Sequence, residues 1–202
     1  EKAGIPHINN YDWQETHPLG KAEWIKFFGA LYNKEEEANQ IFNFIESNYN
    51  QLKKQRKKNN PNVLFSSLYN GVWYIPGGNS YGSQFLKDAG GSYPWINDST
   101  TGSLPLSFET IANKQSNSDI WLSPNYNNIN EMVNDDNRYT PFLNSAKGRI
   151  YKQNKRTTTL GGNDYWEKGA LRADLVLKDY IELFQLDSCN DDSLLFFNKV
   201  NP

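Results

Sequence analysis

The sequence has few of the side chains that bind metals or act as nucleophiles. It contains one cysteine and two histidines among 202 residues. Cys189 has no partner for an internal disulfide, and no cysteine–histidine spacing resembles a zinc site. A single cysteine fits either a reducing compartment or a bacterial periplasm. We therefore predict no metal site and take no compartment from the cysteine count.

Sequence signatures of catalysis are also lacking. There is no GxxxxGK[ST] phosphate loop, and the Gly-Gly pairs at 77–78, 90–91 and 161–162 do not match the dinucleotide-binding fingerprint. Neither histidine lies in a known nucleophile–base signature. The pair Asp135-Asp136 within NDDN is typical of a polar turn. We predict a non-enzymatic protein with no catalytic residues and no resident cofactor.

Neither sign of charge is in large excess. The chain has 21 Lys+Arg against 23 Asp+Glu, a formal net charge of −2, so a nucleic-acid partner is not expected. The basic run at 53–58 closes a predicted helix, where cations favour the helix dipole. No stretch approaches the roughly 20 apolar residues of a membrane span. The start EKAGIPHINN has neither an initiator Met nor a signal peptide, and we expect the sequence to be part of a longer protein.

Aromatic residues are abundant. They make up 14% of the chain, although hydrophobic residues reach only 37% and mean hydropathy is −0.78. The protein therefore builds much of its apolar surface from rings. At 202 residues the chain is long enough for one substantial domain with its own core.

Hydrophobic periodicity predicts alternating strands and helices. A helix follows from Lys21, and Asn33 with Glu36 suggests a capping box that opens a second helix over 34–56, roughly 33 Å long at 1.5 Å per residue. Strands are predicted at 6–9, 62–67, 93–97, 119–123 and 149–153, a hairpin at 69–78, and further helices at 81–89, 107–115, 129–133 and 171–184. This order indicates an α/β fold with a mostly parallel sheet.

Three predicted loops place large rings beside glycine. GVWYIPGGNSYG (71–82) is the most pronounced, and the other two lie near 93–95 and 161–166. Ligands of α/β sheets bind in crevices at the strand ends, and ring-bearing loops there suit a binding cleft. The alternative is that each ring packs beneath its own loop.

Glu109 falls in the first turn of a helix that Ser107 is predicted to cap. A carboxylate there interacts favourably with the positive end of the helix dipole. An exposed glutamate at such a position also suits docking to an arginine of a partner. Both interpretations stay open on these residues alone.

Four blocks of the sequence resemble a family of substrate-binding proteins that serve ABC importers of iron–siderophore complexes, haem and cobalamin. The similarity extends over roughly residues 1–186, and the first and third blocks carry most of it. The blocks are ETHPLGKAEWIKFFGALYNKEEEANQIF (15–42), VWYIPGGNSYGSQFLKDAGG (72–91), TGSLPLSFETIANKQSNSDIWLSP (101–124) and GGNDYWEKGALRADLVLKDYIELF (161–184).

In that family two α/β lobes are joined by one long helix, and the ligand lies between them. The resemblance implies that this chain is the C-terminal lobe with most of the N-terminal lobe missing. The implied division is 1–20 for the end of the N-terminal lobe and a link, 21–60 for a helical connector with its long helix at 34–56, 61–170 for the C-terminal lobe, 171–186 for a closing helix and 187–202 for an irregular tail.

The resemblance also implies partners and a location. Glu109 matches the block in which the family presents an acidic residue to arginines of the membrane permease. The family implies a monomer in the periplasm or on the extracytoplasmic face, with a lipid anchor in many members. The positions that match cleft-lining places are Trp73, Tyr74, Tyr81, Thr101, Ser103, Asn163, Asp164, Tyr165 and Trp166.

Two other functions remain open at this point. Tryptophan and tyrosine platforms with many Asn and Thr residues also suit a surface glycan-binding module, and an α/β enzyme could have its catalytic half elsewhere. Sugar-binding modules are mostly all-β, whereas this chain has a long mid-chain helix, so the importer component is favoured. The sequence does not name the chelate or cofactor.

Overall fold

The computed structural model describes residues 7–57, 59–185 and 189–202. Over these residues the chain forms an α/β fold with two separate sheets. The strands are β1 Val63–Phe65, β2 Leu68–Tyr69, β3 Val72–Pro76, β4 Ser103–Leu106, β5 Ile120–Leu122, β6 Ile150–Lys152 and β7 Asn198–Lys199. The helices are α1 Pro18–Leu31, α2 Glu35–Gln55, α3 Tyr81–Ala89, α4 Phe108–Gln115, α5 Ile129–Asp135, α6 Thr140–Ala146, α7 Lys168–Leu171 and α8 Ala173–Leu183.

The larger sheet has the strand order β1-β5-β6-β7. β1, β5 and β6 are parallel, which confirms the predicted mostly parallel sheet, and β7 pairs antiparallel with β6. Every residue of β1 and β5 is buried because both faces of this sheet are covered. β7 lies in the segment predicted to be an irregular tail, so that prediction is wrong for residues 198–199.

The smaller sheet is antiparallel and has the order β2-β3-β4. Side chains alternate along β3: Trp73 and Ile75 are buried, whereas Tyr74 is exposed. This period of two shows that one face of the small sheet packs on the core and the other is open.

Helix α2 matches the predicted long helix closely, at 21 residues or about 32 Å. Its buried stripe consists of Ala38, Phe42, Ile45 and Tyr49. The predicted capping box is wrong, because Lys34 is the N-cap and its side chain does not cap the helix backbone. Three glutamates in the first turn and two lysines in the last favour the helix dipole instead.

Three other elements differ from the prediction. Residues 7–10 form no strand, and the rest of the predicted first strand lies outside the described residues. Residues 93–97 form successive turns, since Ile96 N–H donates to Tyr93 O and Asp98 N–H to Trp95 O. The predicted helix 171–184 is divided at Arg172, where ψ is 59°.

In residues 7–57, 59–185 and 189–202, no helix combines the length and apolar character needed to cross a bilayer.

Candidate functional site

The carboxyl ends of β1, β5 and β6 lie side by side and border a cavity of about 300 Å³. Its lining comes from residues 66–69, 123–125 and 152–153. Each of these segments starts at the last residue of one strand or directly after it. In open α/β sheets, ligands bind in the crevice outside the carboxyl ends of the strands. We therefore take this strand-end cavity as the candidate functional site.

Two serines at this edge have strained backbones. Ser66 follows β1 with φ 62° and Ser123 follows β5 with φ 60°, both in the left-handed region. Their amides continue the sheet: Ser66 N–H donates to Leu122 O at 2.8 Å, and Ser123 N–H to Tyr151 O at 2.7 Å. A left-handed conformation costs a non-glycine residue about 1–3 kcal/mol, and such positions cluster at binding sites.

Two buried tryptophans hold the end of β1 by hydrogen bonds to its backbone. The Trp73 indole N–H donates to Phe65 O at 2.6 Å, and the Trp121 indole N–H donates to Ser66 O at 2.6 Å. Both rings are fully buried. Consecutive carbonyls at the base of the cavity are thus held by two rigid side chains.

Hydrogen bonds also fix the walls of the cavity. The Asn125 N–H donates to Ser67 Oγ at 3.0 Å, and the Leu68 N–H donates to the Tyr139 hydroxyl at 3.0 Å. Lys152 Nζ donates to Asn127 Oδ1 at 3.1 Å. The lining therefore offers hydroxyl, amide and ammonium groups on a braced backbone.

The structure places only some of the predicted aromatic side chains at an accessible surface. Trp73 is fully buried and Tyr165 is 5% exposed, so the prediction that these rings line an open cleft is wrong. Tyr165 packs edge-on against Trp166 and Phe197. Burial raises the pKa of the Tyr165 hydroxyl well above its usual value, as expected for a ring that belongs to the core.

Tyr81 occupies a helix interface instead of the cavity. Its ring meets Phe85 edge-on with centroids 5.1 Å apart, and Lys21 Nζ of α1 lies 5.4 Å from its centroid. Burial raises the pKa of the Tyr81 hydroxyl. Tyr81 does not line the strand-end cavity, and its contact with ligand stays a prediction.

One ring of each predicted pair remains accessible. Tyr74 is 43% exposed and Trp166 is 55% exposed. Tyr74 lies on the open face of the small sheet, as does Ser103, which pairs with Pro76. Thr101 is exposed just before β4. None of these four predicted residues lines the strand-end cavity, and their ligand contacts stay predictions.

Asn163 connects the 161–166 loop to the site. Its Nδ2 donates to Gln153 O at 2.8 Å, at the end of β6. The neighbouring Asp164 is ion-paired with Arg156 at 2.6 Å. Asn163 therefore lies one hydrogen bond from the cavity lining, whereas the Asp164 carboxylate already has a cationic partner.

Glu109 is exposed in the first turn of α4, which Ser107 caps by accepting the Thr110 N–H at 3.2 Å. The backbone N–H of Glu109, the Ser107 hydroxyl and the charge of Arg138 lower the pKa of its carboxyl. The guanidinium of Arg138 lies 4.3 Å from the Phe108 ring centroid and binds Asp136. Glu109 thus presents a fixed negative charge to solvent.

Four residues that line the cavity were not predicted as site residues from the sequence: Ser66, Tyr69, Ser123 and Gln153. A signal for the two serines was present. Each directly follows an apolar triplet, VLF or IWL, that forms a buried parallel strand. Tyr69 is 63% exposed at the cavity and shares the open face of the small sheet with Tyr74.

Candidate metal ligands do not cluster in the described part of the chain. There, no group of three or more His, Cys, Asp or Glu side chains is arranged to hold a metal ion. The lining of the cavity consists of Ser, Leu, Tyr, Pro, Asn, Lys and Gln.

Comparison with known proteins gives one family and several related folds. An uncharacterized lipoprotein of Methanocaldococcus jannaschii is 31% identical over 206 residues, which cover 100% of this chain and 47% of the relative. A possible iron-binding (periplasmic solute-binding) protein from Staphylococcus epidermidis has a TM-score of 0.64 at 16% identity, covering 85% of this chain and 64% of that one. IsdE of S. aureus complexed with heme has a TM-score of 0.60 at 19% identity, covering 84% and 66%.

These matches cover only part of the related proteins. The chain spans about half the length of the curated relatives it matches, at 47% and 60%. The structural similarities establish the fold, which is part of a periplasmic binding protein fold. The family model described as Periplasmic binding protein matches residues 3–155. The chain therefore belongs to the periplasmic binding protein family.

Proposed function

We propose that this protein is the substrate-binding component of an ABC import system. It captures an iron chelate, haem or cobalamin in a cleft between two lobes and delivers it to a membrane permease. The observation that carries the proposal is the strand-end cavity, whose polar lining is held by hydrogen bonds at the ends of β1, β5 and β6. The chain that forms it belongs to the periplasmic binding protein family. Solved relatives include a protein complexed with heme and an Fe3+-hydroxamate transport protein.

Exposed rings around the lobe add apolar area for such a ligand. Tyr69, Tyr74 and Trp166 each keep roughly half of their surface accessible. A ring that buries ~60 Å² of apolar area contributes about 1.5 kcal/mol, or around tenfold in affinity. Two or three rings would thus supply a substantial part of a micromolar interaction.

The second half of the cleft would come from another lobe. Apolar side chains of α1 and α2 are exposed, including Phe28, Leu31, Ile41 and Phe44. Contiguous exposed apolar side chains commonly mark a packing surface. We assign residues 21–60 to a connector whose exposed apolar side packs against an N-terminal lobe, with 61–170 as the ligand-binding C-terminal lobe.

Glu109 is our candidate for permease docking. It is exposed, held at a helix start and ionised, so it suits a charge-assisted hydrogen bond to an arginine. The proposed location is the outer side of the cytoplasmic membrane, in line with the family and with the lipoprotein relative. We propose that the protein acts as a monomer.

Two spectroscopic measurements on the full-length protein test this function. The visible absorption of freshly purified protein should show a band, because haem, cobalamin and catecholate–iron are all coloured. Intrinsic tryptophan fluorescence should be quenched by at least one of haemin, cyanocobalamin and ferric siderophores, and not by oligosaccharides. Quenching by oligosaccharides alone would replace this proposal with a glycan-binding function.

A further inference from the structure

Three neighbouring strands are each followed directly by a polar side chain. These residues are Ser66 after β1, Ser123 after β5 and Gln153 after β6, and all three line the strand-end cavity. Of the three, Gln153 has the longest side chain and carries both a donor and acceptors on one planar amide. Its position beside the cavity makes its hydrogen bonding informative about the ligand.

One atom of the Gln153 carboxamide has no hydrogen-bond partner among the described residues. Its Oε1 is buried and has no hydrogen-bond partner among the described residues, and it is the sole such side-chain atom in that part of the chain. Buried polar groups in native proteins are nearly always paired, so an exception requires an explanation.

Neighbouring side-chain donors are already engaged. Asn163 Nδ2 donates to the Gln153 backbone carbonyl at 2.8 Å, not to its side chain. Lys152 Nζ donates to Asn127 Oδ1 at 3.1 Å. Each of these groups has further N–H donors, but neither donates to Gln153 Oε1 in this structure, so a bound ligand can supply the bond.

We infer that the ligand carries an amide group that pairs with the Gln153 carboxamide at the end of β6; this inference rests on the proposed function. An amide supplies both an N–H that donates to Oε1 and a carbonyl oxygen that accepts from Nε2. It therefore matches the acceptor and the donor of the glutamine side chain. A corrinoid with carboxamide side chains or an amide-containing siderophore has such groups. The peripheral carboxylates of haem are acceptors only at neutral pH and leave Oε1 unpaired.

The test measures the affinity of the full-length protein for three probes: cyanocobalamin, ferrioxamine B and haemin. We expect cyanocobalamin or ferrioxamine B to bind more tightly than haemin. Gln153→Met, which keeps the length of the side chain but removes its hydrogen bonds, should weaken binding of that amide-bearing probe about tenfold. Gln40→Met, on the exposed side of α2, is the matched control and should leave the affinity unchanged.

Each other result has a definite meaning. If haemin is the only probe that binds, or if Gln153→Met binds the amide-bearing probe with unchanged affinity, the inference is overturned and the proposed function stands. If no probe binds and the purified protein is colourless, the proposed function fails and the inference fails with it. Thermal unfolding checks that Gln153→Met is folded, and Gln153→Leu replaces it with the same expectation if it is not.

Discussion

Trp73 and Trp121 stack in the core with 6.0 Å between ring centroids and 26° between ring planes, although they belong to different sheets. Their indole N–H groups bind the carbonyls of Phe65 and Ser66, which are consecutive in sequence. The stacked pair therefore couples the β2–β3 hairpin to the larger sheet at the base of the strand-end cavity. Trp73 is predicted from the sequence to contact ligand. In the structure its indole instead supports the backbone at the base of the strand-end cavity.

This support predicts a stability cost for removing the indole of Trp73. Trp73→Phe leaves Phe65 O unpaired and creates a small void, so the free energy of unfolding should fall by about 2–4 kcal/mol. Trp166→Phe is the control, because Trp166 is 55% exposed, and its change should stay within about 0.5 kcal/mol. Urea unfolding of both variants gives the comparison. Equal stabilities would contradict the role assigned to Trp73.

The two accessible rings should affect binding without affecting stability. Tyr74→Ala and Trp166→Ala are each expected to reduce ligand affinity about tenfold, since each removes apolar contact area. Trp95→Phe, a half-buried ring beneath Lys114, should leave the affinity unchanged. Fluorescence or absorbance titration with the bound probe measures these affinities. Unchanged affinity in both alanine variants would remove these rings from the proposed site.

Glu109 should matter for transport and not for capture. Glu109→Ala removes the exposed charge at the start of α4, so uptake in cells should fall severalfold while ligand affinity is retained. Glu36→Ala, also exposed in the first turn of a helix, is the control and should change neither. A loss of ligand affinity in Glu109→Ala would instead assign this residue to the binding site.

His17 should make stability depend on pH in the mildly acidic range. Its Nδ1 accepts the Leu19 N–H at 3.1 Å as the N-cap of α1, and burial lowers its pKa below 6.5 despite the attraction of Asp88. Below about pH 6.5 the unfolded state binds a proton that the folded state does not, so stability decreases as pH falls through this window. Above that range His17 contributes no pH dependence.

The variant His17→Asn isolates this contribution. Asparagine is also a good N-cap but does not titrate. Urea unfolding at pH 7.5 and pH 5 should show a larger loss of stability for the wild type than for His17→Asn. Parallel losses in the two proteins would show that His17 is not the group responsible.

Local signals in the sequence predicted several elements well. Helix α3 begins and ends as predicted, because Ser80 caps its first turn and Gly90, with φ 87°, ends it in the left-handed conformation. The cap of α4 at Ser107 is equally local. Such features depend on residues within one turn of each other.

Long-range pairing determined what the sequence did not reveal. Along β3, alternation predicts that Trp73 and Tyr74 face opposite sides, but not which of them meets the core. β7 depends on pairing with β6, some 46 residues earlier, as the register of Tyr151 with Lys199 and Lys152 with Asn198 shows. The cavity likewise exists only once β1, β5 and β6 are placed side by side.

Hydrogen exchange on the full-length protein, with and without the probe that binds it, tests the central claim most directly. The account predicts ligand-dependent protection of backbone amides at 66–69, 123–125 and 152–153, together with the facing surface of the second lobe. Protection confined to other parts of this lobe, with these three segments unchanged at saturating ligand, would contradict it.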